Sequence, residues 1–495
     1  MSQDEALSIF NRGKNFLNEG HLSDAIVCFE KAIQLEPKAF RFRHKLGEAL
    51  SRNEKLDEAI AAYEAAIELN PRAAWSYHNI GQVWATQNKI DRAISYYRKA
   101  IEISSNLDLF YQSLGAVLNR KGNQTEAAQC YRDAAELLGQ QEKTDGAIAC
   151  YVKAIDIQPE VISAQKLYSL SHYAPLNPSQ IERIALSYQK VIEAHPDFLY
   201  GYIMLGDMWA RQGKVSEASR SYQKAIARKV EIAKPDFVRE HGRSGGVREP
   251  NFIIIGAMKC GTTSLYEYLA QHPNILPCLE KEVHFFSYKY DRGLDWYRSY
   301  FYPVPEGRKY LNGEASPSYI HMRDTERRVF ENFPDVKLIA ILRNPIDRAF
   351  SHYHHLKNRV GVESRSFEDA VDAEMQILQN MEDFPWEWDK HWSTQKGYLY
   401  LGLYVYFLQR WMSVFPKEQF LVLTTENLQA KPALTMKQTF KFLGVSDYKL
   451  DRYPKHLAGS YSPISDSLRK TLHNFYQPYN QKLEDYLEMS FKWTE

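Results

Sequence analysis

Glycine returns every 34 residues through the first part of this chain, at Gly13, Gly47, Gly81 and Gly115. Alanine keeps the same interval at Ala25, Ala59, Ala93 and Ala127. Each of these alanines has an aromatic four places on (Phe29, Tyr63, Tyr97, Tyr131) and a further alanine three beyond that (Ala32, Ala66, Ala100, Ala134). Pro37 and Pro71 close the first two units. This period constrains the fold more than any other feature. A unit so short cannot bury a core alone, so successive units must stack. The pattern predicts paired helices: small residues allow close approach, the aromatic fills the gap, and proline stops the second helix.

The fifth unit breaks the register. Ala147, Tyr151, Ala154 and Pro159 repeat the second-helix pattern only 20 residues after Ala127. Either the second helix of unit four also serves as the first of unit five, or a segment has been deleted. One further unit is expected around Ile184, Tyr188 and Pro196, and another at Gly206, Trp209, Ala218, Tyr222 and Ala225. That makes about seven units over residues 1–229. The pattern resembles the tetratricopeptide repeat, which implies an all-α solenoid whose groove takes an unidentified protein or peptide partner. A spacer or dimerisation arm is the alternative. Residues 230–250 turn polar, gain glycine and proline, and read as a linker.

From residue 251 to 495, short apolar runs alternate with helical stretches, which predicts an α/β domain with a central parallel sheet. Strands are expected at Phe252–Ile255, Tyr310–Gly313, Val336–Leu342 and Phe420–Leu423. The first runs into the loop of FIIIGAMKCGTTS, bounded by Gly256 and Gly261, with a helix opening at Thr262, Thr263 and Ser264. A strand, a glycine-bounded loop and a helix N-terminus form an anion cradle. The spacing is P-loop-like, but Thr262 stands where a nucleotide hydrolase has its lysine, and Lys259 lies inside the loop. That argues against an ATPase or kinase.

Gly256, Lys259, Gly261, Thr262, Thr263 and Leu265 resemble the 5′-phosphosulfate loop of sulfotransferases, which use 3′-phosphoadenosine 5′-phosphosulfate (PAPS) as donor. The block LRNPIDRAFSHY, 84 residues on, is similar to the family's second signature. The resemblance implies that Lys259, Cys260, Gly261, Thr262, Thr263 and Ser264 line the donor's 5′ end, and that Arg343 and Ser351 bind its 3′-phosphate. Arginine suits that task because its planar fork makes paired, charge-assisted bonds. KEVHFF is similar to the catalytic loop of the heparan sulfate branch. Glu282 then takes the position of the general base, with His284 as the competing base and Lys259 as the second catalytic residue. Glu314 lies in a stretch that resembles the family's E-K-x-P-x-Y, with Ala315 replacing the lysine. It reads as either a substrate contact or a structural carboxylate. Gly459, Ser460 and Tyr461 match a glycine-containing loop that closes over the donor, without its basic residues.

Trp386, Trp388 and Trp392 read either as an acceptor-side lid or as packing. The run His352, His354, His355 on a helix faces different ways, so no metal is expected. Charges nearly cancel, 62 Lys and Arg against 61 Asp and Glu, which gives no reason to expect nucleic acid. No run of about 18 apolar residues reads as a membrane span. Five cysteines show no disulfide framework or metal spacing, and Cys28, Cys130 and Cys150 fall at equivalent repeat positions. A reducing, cytoplasmic setting is the expectation. The expected activity is sulfuryl transfer from PAPS to a hydroxyl or amine, with a carbohydrate as the acceptor. The rival is a repeat scaffold with a degenerate transferase domain.

Overall fold

The computed structural model describes residues 2–172, 174–242, 246–305, 310–380, 384, 396–454 and 463–493. The chain forms two compact units, Met1–Gly213 and Lys214–Glu495.

The first unit is helical: α1 (Ser2–Glu19), α2 (Leu22–Leu35), α3 (Phe40–Arg52), α4 (Leu56–Leu69), α5 (Ala74–Thr86), α6 (Ile90–Ile103), α7 (Asp108–Lys121), α8 (Gln124–Gln140), α9 (Thr144–Ile157), α10 (Val161–Ser171), α11 (Pro178–Ala194) and α12 (Leu199–Arg211). All eight repeating alanines are fully buried. The glycines explain themselves sterically. A Cβ on Gly47 would lie 2.7 Å from the Tyr63 ring, and one on Gly81 would lie 2.9 Å from that of Tyr97. Gly13 and Gly115 meet Phe29 and Tyr131 in the same way. The register break resolves as a shared helix: α8 packs along both α7 and α9.

This contact makes a stability prediction. Alanine is better than glycine in a helix by about 1 kcal/mol, but overpacking costs roughly 1–3 kcal/mol. Gly47→Ala is therefore expected to lower the melting temperature of the helical unit. Gly139→Ala, in α8 with nothing within 4 Å of its Cβ, should raise it or leave it unchanged. Thermal denaturation of the two variants followed by circular dichroism checks the contrast; equal stability of Gly47→Ala and wild type would remove the packing explanation.

The second unit begins with α13 (Val215–Ala233) and α14 (Pro235–His241). The sequence boundary at residue 229 and the linker at 230–250 differ from this division. Residues 215–241 are mostly helical, and their side chains reach residues 272–310 of the second unit. The reason is long-range packing: Tyr222 meets Trp296 and Tyr300, and Phe237 meets Tyr302 and Tyr310.

Next come β1 (Phe252–Gly256), α15 (Thr262–Gln271), β2 (Ile275–Leu276), α16 (Phe285–Tyr288), α17 (Leu294–Arg298), β3 (Leu311–Ala315), α18 (Thr325–Asn332), β4 (Lys337–Leu342), α19 (Pro345–His355), α20 (Phe367–Gln379), α21 (Tyr404–Met412), β5 (Phe420–Thr424), α22 (Thr425–Ala430), α23 (Pro432–Leu443) and α24 (Asp466–Leu487). The sheet has the order β2-β3-β1-β4-β5 with every pair parallel. β1 is buried along its whole length, as a central parallel strand covered on both faces should be. Gly313 is opposite Phe252, whose ring would lie 2.2 Å from a Cβ there. Four strands fall where the apolar runs predict them; β2, two residues long, had no such signal. In open parallel sheets, ligands bind beyond the carboxyl ends of the strands where the order reverses. Here that place is around β1.

Candidate functional site

The loop after β1 is tied down on all sides. The Ala257 N–H donates to the Ile341 carbonyl at 2.8 Å, docking the loop on β4. Lys259 and Gly261 take left-handed backbones, with φ of 68° and 89°, which turn the chain into α15. A Cβ on Gly256 would lie 2.6 Å from Ile320. The Thr425 hydroxyl, at the end of β5, sits 2.6 Å from the Cys260 carbonyl and 3.0 Å from that of Leu342. The first turn of α15 offers N–H groups without intrahelical partners, at the positive end of the helix dipole. The Cys260 thiol faces inward, 3.6 Å from the Tyr404 hydroxyl, and burial pushes it up to about 11. It is therefore a core side chain, and only the backbone of Cys260 can line the cradle. The Thr262 side chain is buried, while those of Lys259, Thr263 and Ser264 are partly exposed.

Arg343 follows β4 and lies beside this loop, with Nη1 3.4 Å from the Lys259 carbonyl. The two motifs, distant in sequence, meet. Asn344 caps α19, its side chain accepting from the Ile346 N–H at 3.0 Å, with Pro345 in the first turn. The Tyr404 hydroxyl donates to the Arg343 carbonyl at 3.0 Å. Ser351 lies in the second turn of α19 and is partly exposed. His352 is buried against Tyr398, and burial, then the Arg348 and Lys259 charges, holds its pKa well below the usual value. His354 stacks edge-on with Phe350 instead. Among the described residues no group of three or more His, Cys, Asp or Glu could hold a metal ion.

Glu282 and His284 hang on the carboxyl end of β3. The Glu282 N–H donates to the Ala315 carbonyl at 2.9 Å, and the His284 N–H to Ser316 Oγ at 3.2 Å. Extended backbone would have pointed both side chains the same way. Instead both residues are left-handed, with φ of 65° and 57°, and the side chains still converge. Glu282 Oε2 is 3.6 Å from His284 Nε2, while Lys281 Nζ is 2.5 Å from Oε1. His284 Nδ1 is 3.0 Å from Ser318 Oγ. The hydrogen bond from His284, followed by the nearby Lys281, holds the Glu282 carboxyl down at about 2.

Glu314 is a structural carboxylate. It is fully buried and accepts from Tyr297 (2.8 Å), Ser316 (2.6 Å) and Tyr319 (3.0 Å). Thr425 and Tyr404, which brace the loop and Arg343, escaped the sequence reading; the position of Thr425 just after a strand was the available signal. Gly459, Ser460 and Tyr461, and Trp386, Trp388 and Trp392, lie outside the described residues.

A family model described as "Sulfotransferase domain" matches residues 249–462, and models described as "Tetratricopeptide repeat" match 10–74, 44–108 and 134–161. Heparan sulfate glucosamine 3-O-sulfotransferase 6 of Mus musculus is 30% identical over 277 residues, covering 50% of this chain and 75% of that protein. The chain belongs to the sulfotransferase family.

Within the sulfotransferase domain, the matched span takes in Lys259, Glu282, His284, Arg343 and Ser351. Two further relatives are sulfotransferases by name. Membrane-associated sulfotransferase kil1 of Dictyostelium discoideum is 26% identical over 313 residues, covering 49% of this chain and 66% of the relative. Bifunctional heparan sulfate N-deacetylase/N-sulfotransferase 3 of Mus musculus is 36% identical over 212 residues, covering 41% and 23%. The chain thus spans just under two thirds of the first and about a quarter of the second. None of its described helices is long and apolar enough to cross a membrane.

Proposed function

We propose that this chain transfers a sulfuryl group from PAPS to a hydroxyl or amine of a carbohydrate, and that the repeats engage a protein or peptide partner. The observation that carries the reading is the approach of Arg343 to the Lys259 loop at the carboxyl ends of adjacent parallel strands. The donor set fits such a nucleotide: an amide-lined loop and a helix N-terminus for one anionic group, and an arginine beside it for a second. When bound, PAPS supplies the activated sulfuryl group. Lys259 offsets the charge that develops on the departing phosphate oxygen. Arg343 and Ser351 hold the 3′-phosphate, the feature that separates this donor from ATP.

Either Glu282 or His284 receives the acceptor's proton as its oxygen or nitrogen bonds to sulfur. A carboxyl held near 2 is a weak base in the resting site. As base, Glu282 must first release its bond to His284. In the other arrangement His284 takes the proton at Nδ1, the nitrogen not turned to Glu282, and Glu282 stabilises the imidazolium. The named activities of the heparan sulfate relatives support a carbohydrate acceptor.

Calorimetry on Arg343→Ala tests the donor assignment. Charge-assisted bonds contribute roughly 1.5–3 kcal/mol, so binding of adenosine 3′,5′-bisphosphate should weaken by about 10- to 150-fold. Binding of 5′-AMP, which lacks the 3′-phosphate, should change little. An equal loss for both nucleotides would reject the role given to Arg343.

A further inference from the structure

The helix α13 carries the repeat pattern Ala218, Tyr222 and Ala225, yet it belongs to the second unit. Two turns beyond Tyr222, Lys229 reaches into that unit, where its Nζ donates to the Cys278 carbonyl at 2.7 Å and the Leu279 carbonyl at 2.8 Å. These carbonyls immediately precede the segment that bears Glu282 and His284. Their own N–H groups are anchored separately, Cys278 to the Tyr266 hydroxyl at 2.7 Å and Leu279 to the Tyr300 carbonyl at 2.9 Å. At its far end the segment is fixed by the bonds from Glu282 to Ala315 and from His284 to Ser316. Lys229 is thus the tie that α13 supplies at the near end.

We propose that Lys229 is a positioning residue: by clamping the 278 and 279 carbonyls it sets where Glu282 and His284 stand. The proposal rests on the transferase reading above. One ammonium on two adjacent carbonyls makes two charge-assisted bonds, and a partly buried pair of acceptors is costly to leave unmet. Burial draws the Lys229 pKa below its ordinary value, with Glu267 and Glu280 acting the other way. A neighbouring tie provides the control. Lys234 Nζ donates to the His272 carbonyl at 2.8 Å, at the end of α15 rather than at the acid–base segment.

The test uses the full chain with Lys229→Met, Lys229→Arg and Lys234→Met. It reads kcat, adenosine 3′,5′-bisphosphate binding, melting temperature and amide hydrogen exchange over 279–284. A misplacement of about 1 Å can cost about 10²-fold, so Lys229→Met should lower kcat by about 10- to 100-fold, with nucleotide Kd within about threefold. Exchange over 279–284 should speed up. Lys229→Arg, whose fork reaches two adjacent carbonyls, should restore kcat to within about threefold. Lys234→Met should lower the melting temperature and leave kcat unchanged. Wild-type kcat in Lys229→Met, or an equal kcat loss in Lys234→Met, would overturn the proposal. If the wild-type chain transfers no sulfuryl group to any acceptor, the transferase reading fails on its own. Hydrogen exchange then decides the role of Lys229, and unchanged protection over 279–284 in Lys229→Met overturns it.

Discussion

Glu282→Gln is expected to cut sulfuryl transfer by about 10²- to 10⁴-fold, the usual contribution of a positioned base. That is equivalent to about 3–5 kcal/mol of barrier at about 1.4 kcal/mol per tenfold. Glutamine keeps the shape and cannot take up the proton. Glu282 docks on the carboxyl end of β3, one strand away from β1 and its loop, so adenosine 3′,5′-bisphosphate binding should stay within about threefold of wild type. His284→Ala separates the two arrangements. If Glu282 is the base, the loss in His284→Ala is the smaller of the two. If the histidine is the base, His284→Ala is the deader variant, and Glu282→Gln loses only the stabilisation of the imidazolium. Two active variants would remove both residues from the chemistry and move the acceptor to another side of the sheet.

The pH dependence adds a second readout. The Glu282 pKa is depressed from the ordinary carboxylate value to about 2. Its contribution to stability is therefore present above the unfolded value, and is lost as pH falls through about 2. With its pKa held that low, Glu282 is ionised through the neutral range. An acidic limb in kcat/KM between pH 5 and 8 therefore cannot be its titration. With Glu282 as the base, kcat/KM should stay flat from pH 5 to 8, and an acidic limb in that range would take the proton transfer away from the carboxylate.

The parts of this site that were legible in the sequence are those whose chemistry is local. Gly261 is dictated by a left-handed turn within one loop. Asn344 and Pro345 follow from helix-capping rules, and the glycine–aromatic repeat follows from helix contacts a fixed distance apart in the chain. What stayed hidden depends on partners far apart. The α13 sequence reads as one more repeat, because the rings that hold Tyr222 in the second unit, Trp296 and Tyr300, lie more than 70 residues away. The carbonyls that Lys229 clamps have no signature of their own. Glu282 was visible through resemblance, and His284 through its place two residues on. Their convergence rests on two left-handed backbones, a conformation that glutamate has no propensity for and that histidine adopts only uncommonly.

Glu314 is fully buried yet linked through Ser316 to the segment that bears His284, and it gives the largest stability effect expected here. Its carboxylate collects hydroxyls from Tyr297, Ser316 and Tyr319, and both tyrosines are fully buried. Glu314→Ala leaves those hydroxyls without their acceptor and opens a cavity. Each unmet buried group costs about 1–3 kcal/mol, so the variant should lose roughly 3–5 kcal/mol. In a unit of this size that lowers Tm by on the order of 10 °C. Ser316 carries the effect onward, because the Oγ that donates to Glu314 also accepts from the His284 N–H. Ser316→Ala isolates this second link. It breaks one bond to Glu314 and leaves both tyrosines paired, so stability should fall by only about 1 kcal/mol. Its kcat should fall by more than that small loss of fold would explain, with nucleotide binding unchanged. Denaturant titration and initial rates on the two variants measure both effects. A Glu314→Ala protein as stable as wild type would contradict the hydrogen-bonded hub, and wild-type kcat in Ser316→Ala would show that His284 is held in place without it.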